Sequence, residues 1–107
     1  GGDYSAVNPE SGAIGKYQVM PEQVDGLSRR YLKYPITAKQ LKLSPELQED
    51  LFEAFMNDRI PEEGVRDAVS RWFTGKPYSY AVKHKRSDGY MTIQEYYKNF
   101  RKNYFGV

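Results

Sequence analysis

The sequence contains no cysteine and only one histidine among its 107 residues. Without cysteine the chain can form neither a disulfide bond nor a thiolate nucleophile, and its compartment stays open. No second histidine or clustered carboxylates accompany His84, so we expect neither a metal site nor a cofactor. Because long apolar runs are also lacking, we expect no membrane span.

The chain carries little excess charge of either sign, because its 16 basic and 14 acidic residues give a formal net charge of +2. Such a small excess argues against a nucleic-acid partner. A basic run over residues 83–86 predicts a solvated loop, with contacts to anionic groups as the alternative. The length suits one small domain over residues 1–107. Since the chain starts at Gly1-Gly2 without methionine, we expect it to be part of a longer protein.

Aromatic residues are abundant by contrast: they make up 15% of the chain, and ten of them are tyrosines. Tyrosine buries a large apolar face while its hydroxyl stays available, so we expect tyrosines in the core and along a cleft. Their rings would also suit stacking on sugar rings. For any single tyrosine, packing is the more common role.

Helical periodicity and capping signals predict an all-α domain of about five helices with no strand. Pro21, Pro45 and Pro61 stand at first helical positions. Capping boxes begin at Thr37 and Thr92. The predicted elements are an ordered loop over residues 1–20, helices over 21–34, 37–43, 45–59 and 61–73, an irregular stretch over 74–91 and a final helix from residue 92.

The most informative stretch runs from Ser11 to Pro21. Gly12 and Gly15 predict a tight bend that lines a cleft, because glycine accepts positive φ and allows close approach. Gln18 offers a donor and an acceptor, as a sugar hydroxyl or an amide requires. On spacing alone, an ordinary loop before a helix accounts for the stretch equally well.

Residues 12–21 spell Gly-Ala-x-Gly-x-x-Gln-x-x-Pro, and Ala-Val-Asn-Pro precedes them at residues 6–9. This pattern resembles the signature of soluble lytic transglycosylases and goose-type lysozymes, and Lys16-Tyr17 resembles their bacteriophage versions. The resemblance implies a lysozyme-like domain that cleaves peptidoglycan between N-acetylmuramic acid and N-acetylglucosamine. It also implies a virion-associated or cell-envelope (periplasmic) location, with glycan strands and other virion or envelope proteins as partners.

In that family a glutamate at the end of the first helix protonates the glycosidic oxygen and then deprotonates the sugar's 6-hydroxyl. Counting back from Ala6-Val7 places this glutamate about two residues before Gly1, together with the family's first helix. The catalytic residue is therefore expected outside this chain. Glu10, Glu22 and Asp3 are poor replacements, because we expect Glu10 to be solvated, Glu22 to serve a helix dipole and Asp3 to be too short.

Later matches to the family are looser. Ser44–Gln48 resembles the helix start that follows the catalytic loop, with a structural role. Residues 72–75 occupy the place of the family's Tyr-Asn-Ala-Gly segment but keep only Gly75. Tyr96-Tyr97 resembles the Tyr-Val pair of the family's closing motif, and Thr92 stands where that motif has a glutamate. The expected substrate-binding residues are Ser11, Tyr17, Gln18, Trp72 and Tyr96.

Two alternatives stay open. One is a lysozyme-like module without catalysis that binds glycan or serves in assembly. The other is a basic helical nucleic-acid binder, against which the small net charge weighs. Apart from any substrate role, Trp72 is expected on the inner face of its helix with Val65, Ala68 and Val69.

Overall fold

The computed structural model describes residues 3–84 and 92–105, with side chains described for residues 3–84 and 92–102. Within these ranges the chain is mostly helical and contains no β-strand, which confirms the predicted all-α fold. The described helices are α1 (Val24–Leu27), α2 (Ala38–Leu43), α3 (Pro45–Glu63), α4 (Val65–Thr74), α5 (Tyr78–Lys83) and α6 (Ile93–Phe105).

The chain divides into two compact units, Gly1–Asn57 and Asp58–Val107. The first contains the N-terminal loop, α1, α2 and most of α3, and the second contains the end of α3 and α4 to α6. A single domain over residues 1–107 stays a prediction. Fully buried apolar side chains occur in both units: Val24, Leu41 and Leu51 in the first, and Ala68, Val69, Ala81 and Ile93 in the second.

The helix predicted over residues 21–34 is helical over most of that length but changes geometry twice. A 3₁₀ turn (Pro21–Gln23) leads into α1, and a π turn (Ser28–Leu32) follows it. Lys33 then adopts φ 70°, which ends the helix. The buried Ser28 hydroxyl accepts a hydrogen bond from the Ile36 N–H at 3.1 Å and so fixes the chain's return after the helix.

The capping box predicted at Thr37 is confirmed. The Thr37 hydroxyl accepts the Gln40 N–H at 3.1 Å, and the Gln40 side chain accepts the Thr37 N–H at 2.8 Å. Ser44 caps the next helix by accepting the Leu47 N–H at 3.1 Å. These local bonds satisfy donors that the first turn of a helix otherwise leaves unpaired, so both boundaries follow from short sequence signals.

The prediction that Pro61 begins a new helix is wrong. Instead α3 continues through Pro61 to Glu63, and the break lies at Gly64, where φ is 89°. Proline removes one backbone donor two residues before the helix ends, so little of the hydrogen-bond ladder is lost. Glu63 also accepts hydrogen bonds from Arg59 and Arg71 at 2.9 Å, which joins the end of α3 to α4 within the second unit.

The irregular stretch predicted over residues 74–91 contains a helix, α5, and that part of the prediction is wrong. Pro77 precedes α5, and the Tyr78 N–H donates to the Asp67 carboxylate at 2.9 Å. Because this acceptor comes from α4, no capping signal stands next to α5 in the sequence. Residues 85–91, with the second half of the basic run, lie outside the described residues.

The second predicted capping box is confirmed at the start of α6. The Thr92 hydroxyl accepts the Glu95 N–H at 3.3 Å, and the Glu95 carboxylate accepts from Thr92 in return. Ile93, the first residue of α6, is fully buried. A local cap and one deeply buried apolar residue therefore fix where the last helix begins.

Thr37→Ala should lower the free energy of unfolding by about 1 kcal/mol, because one capping bond at the start of α2 is lost. Thr37→Ser keeps the hydroxyl and should stay close to the wild-type value. Urea denaturation followed by circular dichroism measures both. Equal stability of the alanine variant and the wild type would mean that the capping box contributes nothing to folding.

Candidate functional site

The N-terminal loop is folded by its own backbone hydrogen bonds. Two isolated β-bridges pair Ile14 with Val7 and with Val19, and the Ile14–Val19 pair exchanges two bonds of 2.9 Å. Ile14 and Val19 are buried, as is Ala13 directly before Ile14. This compact arrangement bears out the prediction of an ordered loop and holds residues 11–20 in one conformation.

Two glycines in the loop adopt conformations that other residues rarely reach. Gly12 has φ 79° and Gly15 has φ 78°. A Cβ atom at Gly12 would meet no atom within 4 Å, whereas at Gly15 it would lie 2.4 Å from the Gln48 Oε1 atom. Gly12 is therefore required by its backbone conformation alone, and Gly15 also by a close neighbour.

The side chain of Gln48, on α3, fills the space that Gly15 leaves. Its Oε1 atom accepts the Lys16 N–H at 2.9 Å, and its Nε2 group donates to the Tyr4 carbonyl at 3.1 Å and the Leu41 carbonyl at 2.9 Å. The residue is only 3% exposed, so these bonds replace water completely. One buried amide thus joins both ends of the loop to α2 and α3, a role for which the sequence offered only the Ser44–Gln48 match.

Glu49 receives three side chains of the loop next to this amide. Lys16 Nζ contacts Oε2 at 2.8 Å, the Tyr17 hydroxyl donates to Oε1 at 2.6 Å, and the Tyr4 hydroxyl donates to Oε2. Partial burial raises the pKa of Glu49, but the hydrogen bonds from Lys16, Tyr17 and Tyr4 outweigh it and lower the pKa to about 2. The carboxylate is ionised at neutral pH and acts as the acceptor that gathers the loop.

Tyr17, one of the predicted substrate contacts, lies in the interior of the first unit. It is 5% exposed, and its ring stacks on Phe52 with centroids 3.8 Å apart. Its hydroxyl is bound to Glu49. Ring face and hydroxyl are both engaged within the unit, so Tyr17 supports the loop, and direct contact with a sugar stays a prediction.

Gln18 follows directly and has an unusual backbone. It is one of two non-glycine residues in the described chain with positive φ, at 55°. Its side chain is half-buried, and the Nε2 group donates to the Gly15 carbonyl at 3.0 Å. No described protein group donates to its Oε1 atom. The other of these two positive-φ residues, Lys33, ends a helix, whereas Gln18 lies within the loop, and contact of Gln18 with a ligand stays a prediction.

Ser11 braces the start of the same loop. Its hydroxyl accepts the Ala13 N–H at 3.2 Å, and its own N–H donates to the Asn8 side chain at 3.2 Å. The residue is half-buried. Ser11, Tyr17 and Gln18 therefore belong to one folded loop of the first unit, as the sequence predicts.

The other two predicted contacts belong to the second unit. Trp72 lies on α4 and is half-buried, whereas Ala68 and Val69 beside it are fully buried. Tyr96 lies on α6 and stacks on Phe73 with centroids 3.8 Å apart. Trp72 thus has a partly exposed surface, and Tyr96 packs against α4.

Three carboxylates in and beside the N-terminal loop lack the enclosed environment that a general acid needs. Asp3, Glu10 and Glu22 are all exposed. Hydrogen bonds from the backbone and side chain of Ser5 lower the pKa of Asp3, which is the wrong direction for a proton donor. Across the described residues no three His, Asp or Glu side chains are placed to hold a metal ion.

Comparisons with known proteins add no relatives: no family model, curated protein or solved structure matches this chain. The resemblance to lytic transglycosylases rests on the amino-acid sequence alone. Among the described residues no helix is both long and apolar enough to span a bilayer.

Gly15→Ala should destabilise the protein by about 2–4 kcal/mol, because the new Cβ strains the backbone and displaces the buried Gln48 amide. Gly12→Ala is the matched control: it carries the same strained φ but meets open space, so it should cost only about 1–2 kcal/mol. Chemical denaturation of both variants measures the difference. Equal losses would contradict the close Gly15–Gln48 fit.

The Glu49 cluster predicts a pH dependence of stability. The pKa of Glu49 is 4.5 when unperturbed and about 2 in the folded protein. The ionised carboxylate therefore contributes fully to the stability of the fold above about pH 4.5, and this contribution is lost as the pH falls toward 2. Glu49→Gln should be less stable at neutral pH and show a flatter loss across that window. Thermal melts from pH 7 to pH 2 test this.

Glu53→Gln is the control for that experiment. Glu53 lies one helical turn further along α3, is exposed, and forms no ion pair with a described residue. It should keep the wild-type profile. An acid profile of Glu49→Gln as steep as that of the wild type would contradict the assignment.

Proposed function

We propose that this chain is the lysozyme-like domain of a peptidoglycan-cleaving lytic transglycosylase or muramidase, and that it acts on the cell wall from a virion or within the bacterial envelope. The observation that carries the proposal is the Gly12–Pro21 pattern together with the conformation of Gln18. The pattern's two glycines and its glutamine occupy the positive-φ positions of one braced loop.

In this proposal the loop recognises the glycan strand. The Gln18 amide donates once to Gly15, which fixes its orientation, and its carbonyl oxygen is left to accept from a sugar hydroxyl or an N-acetyl N–H. Lys16 and Tyr17 hold the loop through Glu49. Orientation of the substrate by prearranged hydrogen bonds is a large part of what such a site contributes to catalysis.

The proton for glycosidic cleavage would come from the glutamate expected before Gly1. Glu49 is unsuited to this step, because a carboxyl with a pKa of about 2 holds no proton at neutral pH. Asp3, Glu10 and Glu22 are exposed. The unsuitability of these four carboxylates as proton donors favours a second candidate, a glycan-binding or assembly module of lysozyme-like fold that performs no cleavage.

Gln18→Gly tests the recognition step more sharply than an alanine variant, because glycine accepts φ 55° without strain. We expect it to weaken binding of the chain to insoluble peptidoglycan about two- to ten-fold, since a neutral hydrogen bond contributes about 0.5–1.5 kcal/mol. Its melting temperature should change little. Cosedimentation and thermal melts provide the two measurements.

Gln23→Ala is the matched control, because this exposed glutamine lies in the 3₁₀ turn just beyond the loop. It should bind as the wild type does. Unchanged binding by Gln18→Gly, or an equal loss in both variants, would remove Gln18 from the site.

A chain extended at its N-terminus through the expected glutamate should release soluble glycan fragments from peptidoglycan. Binding without such release would favour the glycan-binding or assembly module.

A further inference from the structure

The net charge of the chain conceals an uneven distribution between its units. Gly1–Asn57 contains eight Asp and Glu against six Lys and Arg, a net charge of −2, whereas Asp58–Val107 contains six against ten, a net charge of +4. The near-neutral total that argues against a nucleic-acid partner therefore averages an acidic unit and a basic one. A net charge of +4 on a unit of 50 residues favours partners with negative charge.

Several carboxylates of the second unit form hydrogen bonds within that unit. Glu63 accepts from Arg59 and Arg71, and hydrogen bonds from Arg71 are the main cause of its lowered pKa. Asp67 accepts the first N–H of α5, and Glu95 belongs to the capping box of α6. These groups stabilise helix ends, and among the described residues none of them forms an ion pair with Arg66 or Arg101.

Two exposed arginines of this unit lie over tyrosine rings instead. The Arg66 guanidinium, on α4, is 4.6 Å from the centre of the Tyr78 ring, and the Arg101 guanidinium, on α6, is 5.4 Å from the centre of the Tyr97 ring. Tyr78 and Tyr97 meet edge to face at 5.8 Å. The four side chains, here named the Arg–Tyr row, form a continuous series from α4 through α5 to α6. Within the described residues neither arginine has a carboxylate partner.

Contact with an aromatic ring limits the motion of a guanidinium but leaves its N–H groups available. Such a group is ready to bind a phosphate with two hydrogen bonds, at a smaller entropy cost than a free arginine. Lys98 and Lys102 are exposed on the same stretch of α6 as Arg101 and add positive charge beside the row.

We propose that the Arg–Tyr row is a binding surface for single-stranded nucleic acid. The cations would neutralise the phosphates, and unpaired bases would stack on the parts of the half-buried Tyr78 and Tyr97 rings that the two guanidinium groups leave exposed. A duplex keeps its bases stacked on each other and offers these rings no partner. The inference does not depend on the proposed action on peptidoglycan.

The test uses the full 107-residue chain and a fluorescein-labelled oligothymidylate of about 20 nucleotides, which covers the usual site size. Fluorescence anisotropy across about 50–200 mM salt gives the affinity and its salt dependence. The combined change Arg66→Ala and Arg101→Ala should weaken binding about ten-fold at the lowest salt. It should also reduce the slope of log K against log salt by about 1.4, because each phosphate contact on a single strand contributes about 0.7.

Arg30→Ala is the matched control, because Arg30 is also exposed and lies 5.4 Å from the centre of a tyrosine ring, that of Tyr31, but belongs to the acidic unit. It should leave both affinity and slope unchanged. Tyr97→Phe keeps the ring and should bind as the wild type does, whereas Tyr97→Leu should weaken binding several-fold. Thermal melts confirm that each variant is folded.

Three outcomes would overturn the proposal. The first is no binding of the oligonucleotide at the lowest salt. The second is an equal loss of affinity in Arg30→Ala and in the double variant. The third is equal or tighter binding of a phosphate polymer without bases, such as teichoic acid, since that would leave the tyrosines without a role.

Discussion

The first unit depends on one buried amide. Gln48 lies on α3, yet its side chain bonds to Tyr4, Lys16 and Leu41 in other parts of the unit and fills the space beside Gly15. A carboxamide is suited to this position because it accepts and donates at once without bringing a charge into the interior. If it were removed, backbone groups at Lys16, Tyr4 and Leu41 would each lose a partner, and the Leu41 carbonyl would lose it in the buried interior.

Glu49 extends the same principle to charged groups at the edge of the interior. Gln48 fixes the backbone of the loop, and Glu49 fixes its side chains by accepting from two tyrosines and a lysine. The carboxylate's side chain is 38% exposed, so solvent screens the pair with Lys16 and the geometry contributes more than the charge. Two successive residues of α3 therefore determine the shape of the loop that carries Gln18.

The second unit uses charge differently. Glu63 is largely buried and paired with two arginines, an arrangement that joins helix ends, whereas Arg66 and Arg101 contact aromatic rings at the surface. Paired charges stabilise a fold, and ring-held cations without carboxylate partners are available to ligands. This contrast separates the structural charges of the unit from the surface that we propose as functional.

Short signals in the sequence determined the all-α fold, the starts of α2, α3 and α6, and the ordered loop, because caps and periodic apolar residues act within a few positions of each other. Local signals failed at Pro61, where the helix continued because its break lay at Gly64, and at α5, whose cap is Asp67 on another helix. The loop pattern pointed to Gln18, but only the tertiary structure showed that Gln48 and Glu49, more than 25 residues away, hold the loop in place. Contacts between distant residues leave no periodic trace in a single sequence, and therefore the folded chain alone decides them.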